Sequence, residues 1–223
     1  MAAIEGVVSG AIAGVGAESG SPLHVTIKPI PHGTLGHYRV THRCALVATQ
    51  AANSRIFEIR NTHATNLIIP TRLRIQWIQT AAHTAAIENS LDVFKVTSFS
   101  AVDTTNTVTP TASVKRTSMA AAPGGAAIRG VTVAGAAAGM TGGTLTKDGG
   151  ATAQLPQWLL AAQPTGSTAI PMMLDYDFDA GNGGHPFVFV QNEGIIIENR
   201  VLLGAAAGSS VYIDLAWTEA TAY

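Results

Sequence analysis

The stretch SSVYIDLAWT, at residues 209–218, alternates apolar and polar side chains almost without interruption. Its apolar positions are Val211, Ile213, Leu215 and Trp217, and its polar positions are Ser210, Tyr212, Asp214 and Thr218. Successive side chains of a β-strand point to opposite faces, so this period of two predicts a strand with one face in a core. The same period recurs in residues 36–49, 54–61 and 71–80. Amphipathic segments with helical spacing are almost absent, which weighs against an α/β fold.

Short strands separated by turn residues, with no fixed-period repeat, are typical of an antiparallel β-sandwich or jelly roll. We therefore predict an all-β fold, and the 223 residues fit one such domain, at residues 23–223. Residues 1–22 are small, rich in Gly and Ala, and aperiodic. They predict a flexible N-terminal arm that stays disordered or orders only against a neighbouring subunit.

Three segments give weaker signals. Residues 119–150 are mostly Ala, Gly and Thr, which predicts a surface excursion or an interface segment with strand character only at 127–135. For residues 80–90 the sequence does not distinguish between helix and strand. The segment QLPQWLLAAQP, at 154–164, is predicted to form one short helical turn anchored by Trp158 and Leu159.

The charge content is low and balanced. Charged residues are 12% of the chain, with 13 Lys and Arg against 14 Asp and Glu, whereas ordinary soluble domains have about 25%. No net field therefore attracts nucleic acid or a membrane surface. The surface is either covered by uncharged polar and small residues or partly buried against other chains. Assembly is the favoured reading and a weakly charged monomer the alternative.

Targeting signals and disulfides are not expected. Cys44 is the single cysteine, which excludes an intramolecular disulfide and fits assembly in a reducing cytoplasm. The N-terminal segment lacks the basic region of a secretory signal. No apolar run approaches the roughly 18 residues of a membrane span.

The best metal candidate is the triplet Asp175, Asp177 and Asp179, whose spacing resembles the start of a calcium loop. An EF-hand loop needs Gly at its sixth position and Glu at its twelfth, which here are Ala180 and Pro186. The triplet is therefore a weak candidate, and a solvated strand face is the favoured reading. No cofactor is expected.

A catalytic constellation is not evident. No nucleophile elbow, phosphate loop or dinucleotide fingerprint is present, and Cys44 lies within an apolar strand. His37 and His42 fall on opposite faces of one strand, so they cannot hold one ion together. We predict a protein that is not an enzyme.

Four arginines are candidate interface residues. Arg55, Arg60, Arg72 and Arg74 would form a basic patch if they lay on one sheet. A nucleic-acid surface normally adds clustered aromatics and net positive charge, and neither is present. Two interpretations remain: the arginines lie on a solvated face, or they form ion pairs with carboxylates across a subunit contact.

Several segments together resemble a known family. In order they are GHYRVTHRCALVATQAANSRIFEIRNTHATNLIIPTRLRIQWI, VKRTSM, AIRGVTVAG, and PFVFVQNEGIIIENRVLLGAAAGSSVYIDLAWTEATAY. Over residues 33–223 this order resembles tailed-bacteriophage virion proteins, which have an early Y-R strand, an F-x-x-R strand, an R-T-S-M segment and a Q-N-E-G turn before the last strands. The stretch near 135–150 departs from them in length and composition.

The resemblance implies a non-enzymatic virion component with a jelly-roll β-sandwich. Capsid decoration (cement) proteins are the subgroup favoured. It implies as partners the major capsid protein and copies of the chain itself, with a homotrimer favoured and a dimer possible, but no direct contact with nucleic acid or membrane. The expected location is the outer capsid surface, after synthesis in the host cytoplasm.

Two alternatives stay open. One is a tail or neck component, including one that attaches to the host. The other is a carbohydrate-binding sandwich, which needs exposed aromatic platforms. Trp77 and Trp217 lie on the apolar sides of their strands, so only Trp158 and the tyrosines are candidates for such a platform.

Overall fold

A computed structural model of the protein describes residues 5–8, 11–14, 35–79, 87–114, 123–131, 137–149, 158–163, 172–178, 186–203 and 209–221. The chain divides into two compact units, Met1–Ile30 and Pro31–Tyr223. In the first unit, strands β1 (Glu5–Val8) and β2 (Ala11–Gly14) pair antiparallel. Both lie within the arm predicted at 1–22, whose flexibility stays a prediction. Residues 23–30, on the other side of the predicted boundary, lie outside the described ranges.

In the second unit, the elements that the structure describes in full are strands. In chain order they are β3 (Gly36–Leu46), β4 (Ser54–Asn61), β5 (Leu67–Gln79), β6 (Ile87–Phe99), β7 (Thr107–Val108), β8 (Ser113–Val114), β9 (Ala126–Val131), β10 (Leu145–Lys147), β11 (Trp158–Gln163), β12 (Met172–Asp177), β13 (Gly194–Asn199) and β14 (Ser209–Ala220).

These strands form two antiparallel sheets. The five-stranded sheet has the order β12-β5-β14-β3-β8. The seven-stranded sheet has the order β10-β6-β13-β4-β9-β7, with β11 also paired to β6. The prediction of an all-β antiparallel sandwich is confirmed.

Strand β14 lies at the centre of the five-stranded sheet, between β5 and β3. Its predicted inward residues Val211, Ile213, Leu215 and Trp217 are all buried. The ring of Trp217 stacks on that of Tyr38 from β3, with centroids 5.6 Å apart. The alternation therefore identified the core face of this sheet correctly.

Strand β13 of the seven-stranded sheet has buried isoleucines on both faces. Ile195 and Ile197 of β13 belong to the main core between the sheets. Ile196, between them in sequence, belongs to a second buried cluster with Phe94, Val96 and Phe99 on the other face. A strand that is buried on both faces requires an unbroken apolar run, because its side chains lie in an apolar environment on either side.

Two connections cover the outer face of the seven-stranded sheet. β6 ends at Phe99 and β7 lies beyond β9, so residues 100–106 must cross the three intervening strands β13, β4 and β9. Residues 140–145 also cross β4 and β13, because Met140 bridges to Arg55 of β4 and Leu145 begins β10 beside β6. The Ser100 amide donates to the Thr144 carbonyl at 2.8 Å, which joins the two connections.

This arrangement gives the Ala- and Gly-rich segment 119–150 a structural role. Its strand β9 pairs with both β4 and β7 inside the sheet. Its residues 140–145 form one of the covering connections, and β10 follows within the sheet. The described part of the segment is thus built into the sheet and is not an excursion away from it.

The short helical turn predicted around Trp158 is wrong. Residues 158–163 form β11, which pairs with the first part of β6. A neighbouring strand offers backbone partners along its whole length, whereas a single helical turn fixes several residues for one hydrogen bond. Of the ambiguous segment 80–90, residues 87–90 belong to β6 and the rest lies outside the described residues.

The QNEG turn, at residues 191–194, leads into β13 and is hydrogen-bonded to the ends of β4 and β6. Asn192 has a positive φ of 68°, a conformation that Asn tolerates better than most residues. Its amide donates to the Asn61 carbonyl at 2.7 Å, and its carbonyl accepts from the Phe99 amide at 2.9 Å. Its side-chain oxygen accepts from Arg60 at 2.6 Å. The turn therefore fixes the start of β13 between β4 and β6.

A buried carboxylate joins the two sheets. Glu219 of β14 is 1% exposed and accepts hydrogen bonds from the amides of Gly124, Gly125 and Ala126 at 2.9–3.2 Å. These amides lead into β9 of the opposite sheet. Successive backbone N–H groups that converge on one anion satisfy its charge without a basic side chain. Glu219 is therefore a structural residue.

Candidate functional site

The four candidate interface arginines do not lie on one sheet. Arg72 and Arg74 lie on β5 of the five-stranded sheet, whereas Arg55 and Arg60 lie on β4 of the seven-stranded sheet. Arg72 and Arg74 point outward, with 49% and 38% of their side chains exposed. Arg60 is half-buried and supports the QNEG turn. The hypothesis of a single basic patch is therefore wrong, because it took the two strands to be in one sheet.

Arg55 belongs to a buried ionic cluster beneath the two covering connections. Its guanidinium donates to Glu58 at 3.1 Å and to Asp103 at 2.8 Å. It also donates to the carbonyl of Gly142, in the covering segment. The Asp103 amide donates to the other oxygen of Glu58 at 3.1 Å. Arg55 thus holds the cover to the sheet and is not available to a partner.

This cluster is structural. Burial raises the pKa of Glu58, because the charged carboxylate loses its hydration. A raised pKa in a carboxylate is a feature of many catalytic acids. Glu58 is 0% exposed, however, and every named contact of its side chain is within the fold. It has no route to a substrate.

The aspartate triplet does not assemble as a calcium loop in the described residues. Asp175 accepts hydrogen bonds from Arg72 at 2.7 Å and from Arg74 at 3.0 Å. Asp177 lies directly opposite Arg72 across the β12–β5 pair, and Asp179 lies outside the described residues. No group of His, Cys, Asp and Glu that could hold a metal ion occurs in the described ranges.

The outward side of the five-stranded sheet, which we call the charged face, gathers the accessible charges. Besides the Arg72–Asp175–Arg74 group it contains a pair between Arg39 and Asp214, in which Arg39 donates through both Nε and Nη2. Arg43 packs over the ring of Tyr212 at 5.8 Å. The charged face comprises Arg39, Arg43, Arg72, Arg74, Asp175, Asp177, Tyr212 and Asp214.

The ionised groups of the charged face are better suited to binding than to proton transfer. The bidentate bond from Arg72 lowers the pKa of Asp175 to about 2, so this carboxylate stays ionised near neutral pH. Arginine stays protonated throughout the same range. Groups that do not exchange protons near neutrality are poor general acids and bases. They are well suited to recognising carboxylates and guanidiniums of another chain.

Arg39 and Asp214 were not identified from sequence. The alternation puts Asp214 on the polar side of its strand, but it does not specify that β14 pairs with β3. The register puts Arg39 opposite Ala216, beside Asp214. The sequence signal for this pair is the presence of opposite charges at outward positions of two strongly alternating strands.

Comparisons of the chain with protein-family models, curated proteins and solved structures find no match. Function must therefore be inferred from the residues themselves.

Trp77, Trp217 and Cys44 lie in the core. Trp77 and Trp217 are 1% and 0% exposed, as their strand positions predicted. Cys44 is buried, and burial raises the pKa of its thiol, which makes it a poor nucleophile. Within the described ranges, no helix is long and apolar enough to span a membrane.

Acidification is expected to destabilise the fold through His42. This side chain is buried, and its Nε2–H donates to the Val131 carbonyl at 2.9 Å. Burial lowers the pKa of His42 from its ordinary 6.5, because the charged imidazolium loses hydration. The unfolded chain therefore binds the proton first. The contribution of His42 to stability is complete above the unfolded pKa and is lost as the pH falls towards the folded pKa.

Urea unfolding at about pH 7 and about pH 5 measures this effect, whose slope is at most about 1.4 kcal/mol per pH unit. His42→Gln can donate to Val131 but does not titrate, so we expect a smaller loss of stability on acidification in this variant. An equal loss in both proteins would assign the pH dependence to other groups.

Proposed function

We propose that the protein is a structural, non-enzymatic component of a tailed-bacteriophage virion, and specifically a decoration protein on the outer capsid surface. The observation behind this proposal is the ordered resemblance of residues 33–223 to virion proteins. The β-sandwich supports it, because a sandwich is the fold that the resemblance implies. The charged face supports it as well, since its accessible groups are suited to binding another protein and not to catalysis.

The mechanism we propose is multivalent binding. A homotrimer, or alternatively a dimer, contacts several capsid subunits at once, so that contacts that are weak singly add through high effective concentration. Glu219 joins the two antiparallel sheets, and the Arg55 cluster holds the covering connections to the seven-stranded sheet, which gives each subunit a stiff body. A stiff body transmits force between the capsid subunits that it joins, and thereby braces the shell against the pressure of packaged DNA.

Electron cryomicroscopy of the particle that contains this chain tests the proposal. We expect hundreds of copies on the outer shell, arranged as symmetric oligomers. A handful of copies at the tail or neck would instead assign the chain to the tail, which is the main alternative. A carbohydrate-binding module is less favoured, because such sites use exposed aromatic platforms and both Trp77 and Trp217 are buried.

Removal of residues 2–20 is expected to weaken binding to undecorated capsids while the sandwich stays folded. The reason is that an arm which orders along a neighbouring subunit adds contacts that the sandwich cannot make by itself. Cosedimentation with capsids measures the binding, and thermal unfolding of the truncated chain checks the fold. Undiminished binding of a folded truncated protein would contradict a role for the arm.

A further inference from the structure

The charges of the charged face follow the register of four neighbouring strands. In one row across the sheet lie Asp177, Arg72, Ala216 and Arg39. In the next row lie Asp175, Arg74, Asp214 and Thr41. Acidic and basic side chains alternate along both rows except at two positions, Ala216 in the first row and Thr41 at the end of the second. Ala216 lies between two arginines, where the alternation would place an acid.

The chain leaves a depression at this position. Directly opposite side chains in a sheet have Cβ atoms about 4.5–5.5 Å apart, so Arg72 and Arg39 flank Ala216 from both sides. The guanidinium of Arg39 donates to Asp214 in the next row, and that of Arg72 donates to Asp175. The result is an open depression of about 160 Å³ lined by Arg39, Arg72, Arg74, Asp214 and Ala216.

The arginines that line the depression have N–H donors beyond those used in their ion pairs. A guanidinium has five N–H donors. Arg39 and Arg72 each use Nε and Nη2 for one aspartate, and Arg74 uses only Nε. Three guanidiniums here face two carboxylates, Asp175 and Asp214. Asp177, which also attracts Arg72, lies on the far side of Arg72 from Ala216.

We propose that the depression above Ala216 binds the carboxylate of an Asp or Glu side chain presented by a partner protein. The carboxylate lies between Arg39 and Arg72, accepts from their remaining N–H groups, and completes the alternation of charge along the row. Arginine forks match carboxylate geometry, which gives such a contact its orientation.

The openness of the site favours a protein as the source of the carboxylate. Ion pairs at exposed positions contribute at most about 1 kcal/mol, so a free carboxylate would dissociate readily. A protein surface adds contacts with the rest of the face, including Met173, which is 64% exposed at the edge strand β12. This inference deepens the proposed function and rests on it, because it names the contact through which the chain docks on the capsid.

Two variants test the proposal on capsids. Ala216→Asp supplies the missing carboxylate from within the chain and should weaken binding to undecorated capsids by about tenfold or more, because it fills the site and repels the partner's acid. Ala216→Asn has nearly the same size and no charge, and should retain more of the binding. Thermal unfolding should show Ala216→Asp to be at least as stable as Ala216→Asn, since Arg39 and Arg72 pair with the new acid. Equal capsid binding by the two variants would overturn the inference while leaving the proposed function intact.

A second measurement does not depend on the capsid. NMR spectra of the arginine Nε–H groups are recorded during titration with a blocked glycyl-aspartyl-glycine peptide, at low and matched ionic strength. We expect shifts of Arg39 and Arg72 that grow with peptide concentration, no such shifts with the asparaginyl peptide, and their loss in Ala216→Asp. The same response to both peptides, or a response that persists in Ala216→Asp, would overturn the carboxylate site. Peptide binding without any capsid binding by the native protein would support the site and contradict the proposed function.

Discussion

Replacement of Gly194 with alanine is expected to lower the free energy of unfolding by about 3 kcal/mol or more. A Cβ atom at this position would lie 1.9 Å from the Ile59 carbonyl oxygen and 2.9 Å from its carbon. The obstructing atoms are backbone, so no side-chain rotation relieves the contact. Relief requires β13 to move away from β4, which breaks the ladder between two interior strands of the seven-stranded sheet.

Gly124→Ala is the matched control. Its Cβ would meet the side chains of Asn66 at 3.3 Å and Glu219 at 3.5 Å, with no positive φ to strain it. We expect this variant to lose less than about 1 kcal/mol. Guanidinium unfolding, followed by circular dichroism, compares the two proteins. If Gly194→Ala is no less stable than Gly124→Ala, then β13 is free to shift, contrary to the packing described above.

The fold was predictable where burial is one-sided. β3, β5 and β14 each have a core face and an outward face, and the alternation in β5 and β14 identified Trp77 and Trp217 as core. The signal fails where both faces are buried or where the strand is short. In β13 the run Ile195–Ile197 shows no alternation because the covering connections bury its second face. In β11 the local preference for helix was overridden by pairing with β6.

The candidate site was predictable residue by residue but not as an arrangement. Asp175, Arg72 and Arg74 were each identified, yet their contact joins positions 103 and 101 residues apart. It depends on β12 and β5 being neighbours, which no local pattern encodes. Arg55 was expected at the surface because charged residues are usually exposed. The connections that bury it lie 48 and 87 residues further along the chain.

Replacement of Arg55 with methionine is expected to lower the free energy of unfolding by about 3–5 kcal/mol near neutral pH. Methionine can occupy much of the same space but leaves Glu58 and Asp103 buried without the guanidinium that pairs them. It also leaves the Gly142 carbonyl without its charged donor. The loss should be smaller at acid pH, because burial raises the pKa of Glu58 and its protonation removes uncompensated charge. Urea unfolding near pH 7 and near pH 4 measures both effects.

Two further variants distinguish two causes of this loss of stability, the unpaired buried charge and the lost packing. Arg43→Met removes an arginine from the charged face, where it contacts Ser210 and the ring of Tyr212, and should cost about 1 kcal/mol or less. Glu58→Gln in the Arg55→Met background should restore at least about 1 kcal/mol, because it neutralises one carboxylate and keeps an oxygen for the Asp103 amide. If the loss is purely one of packing, Glu58→Gln restores nothing and the cost does not change with pH. Recovery together with pH dependence would identify the Arg55 cluster as the ionic contact that holds the cover to the seven-stranded sheet.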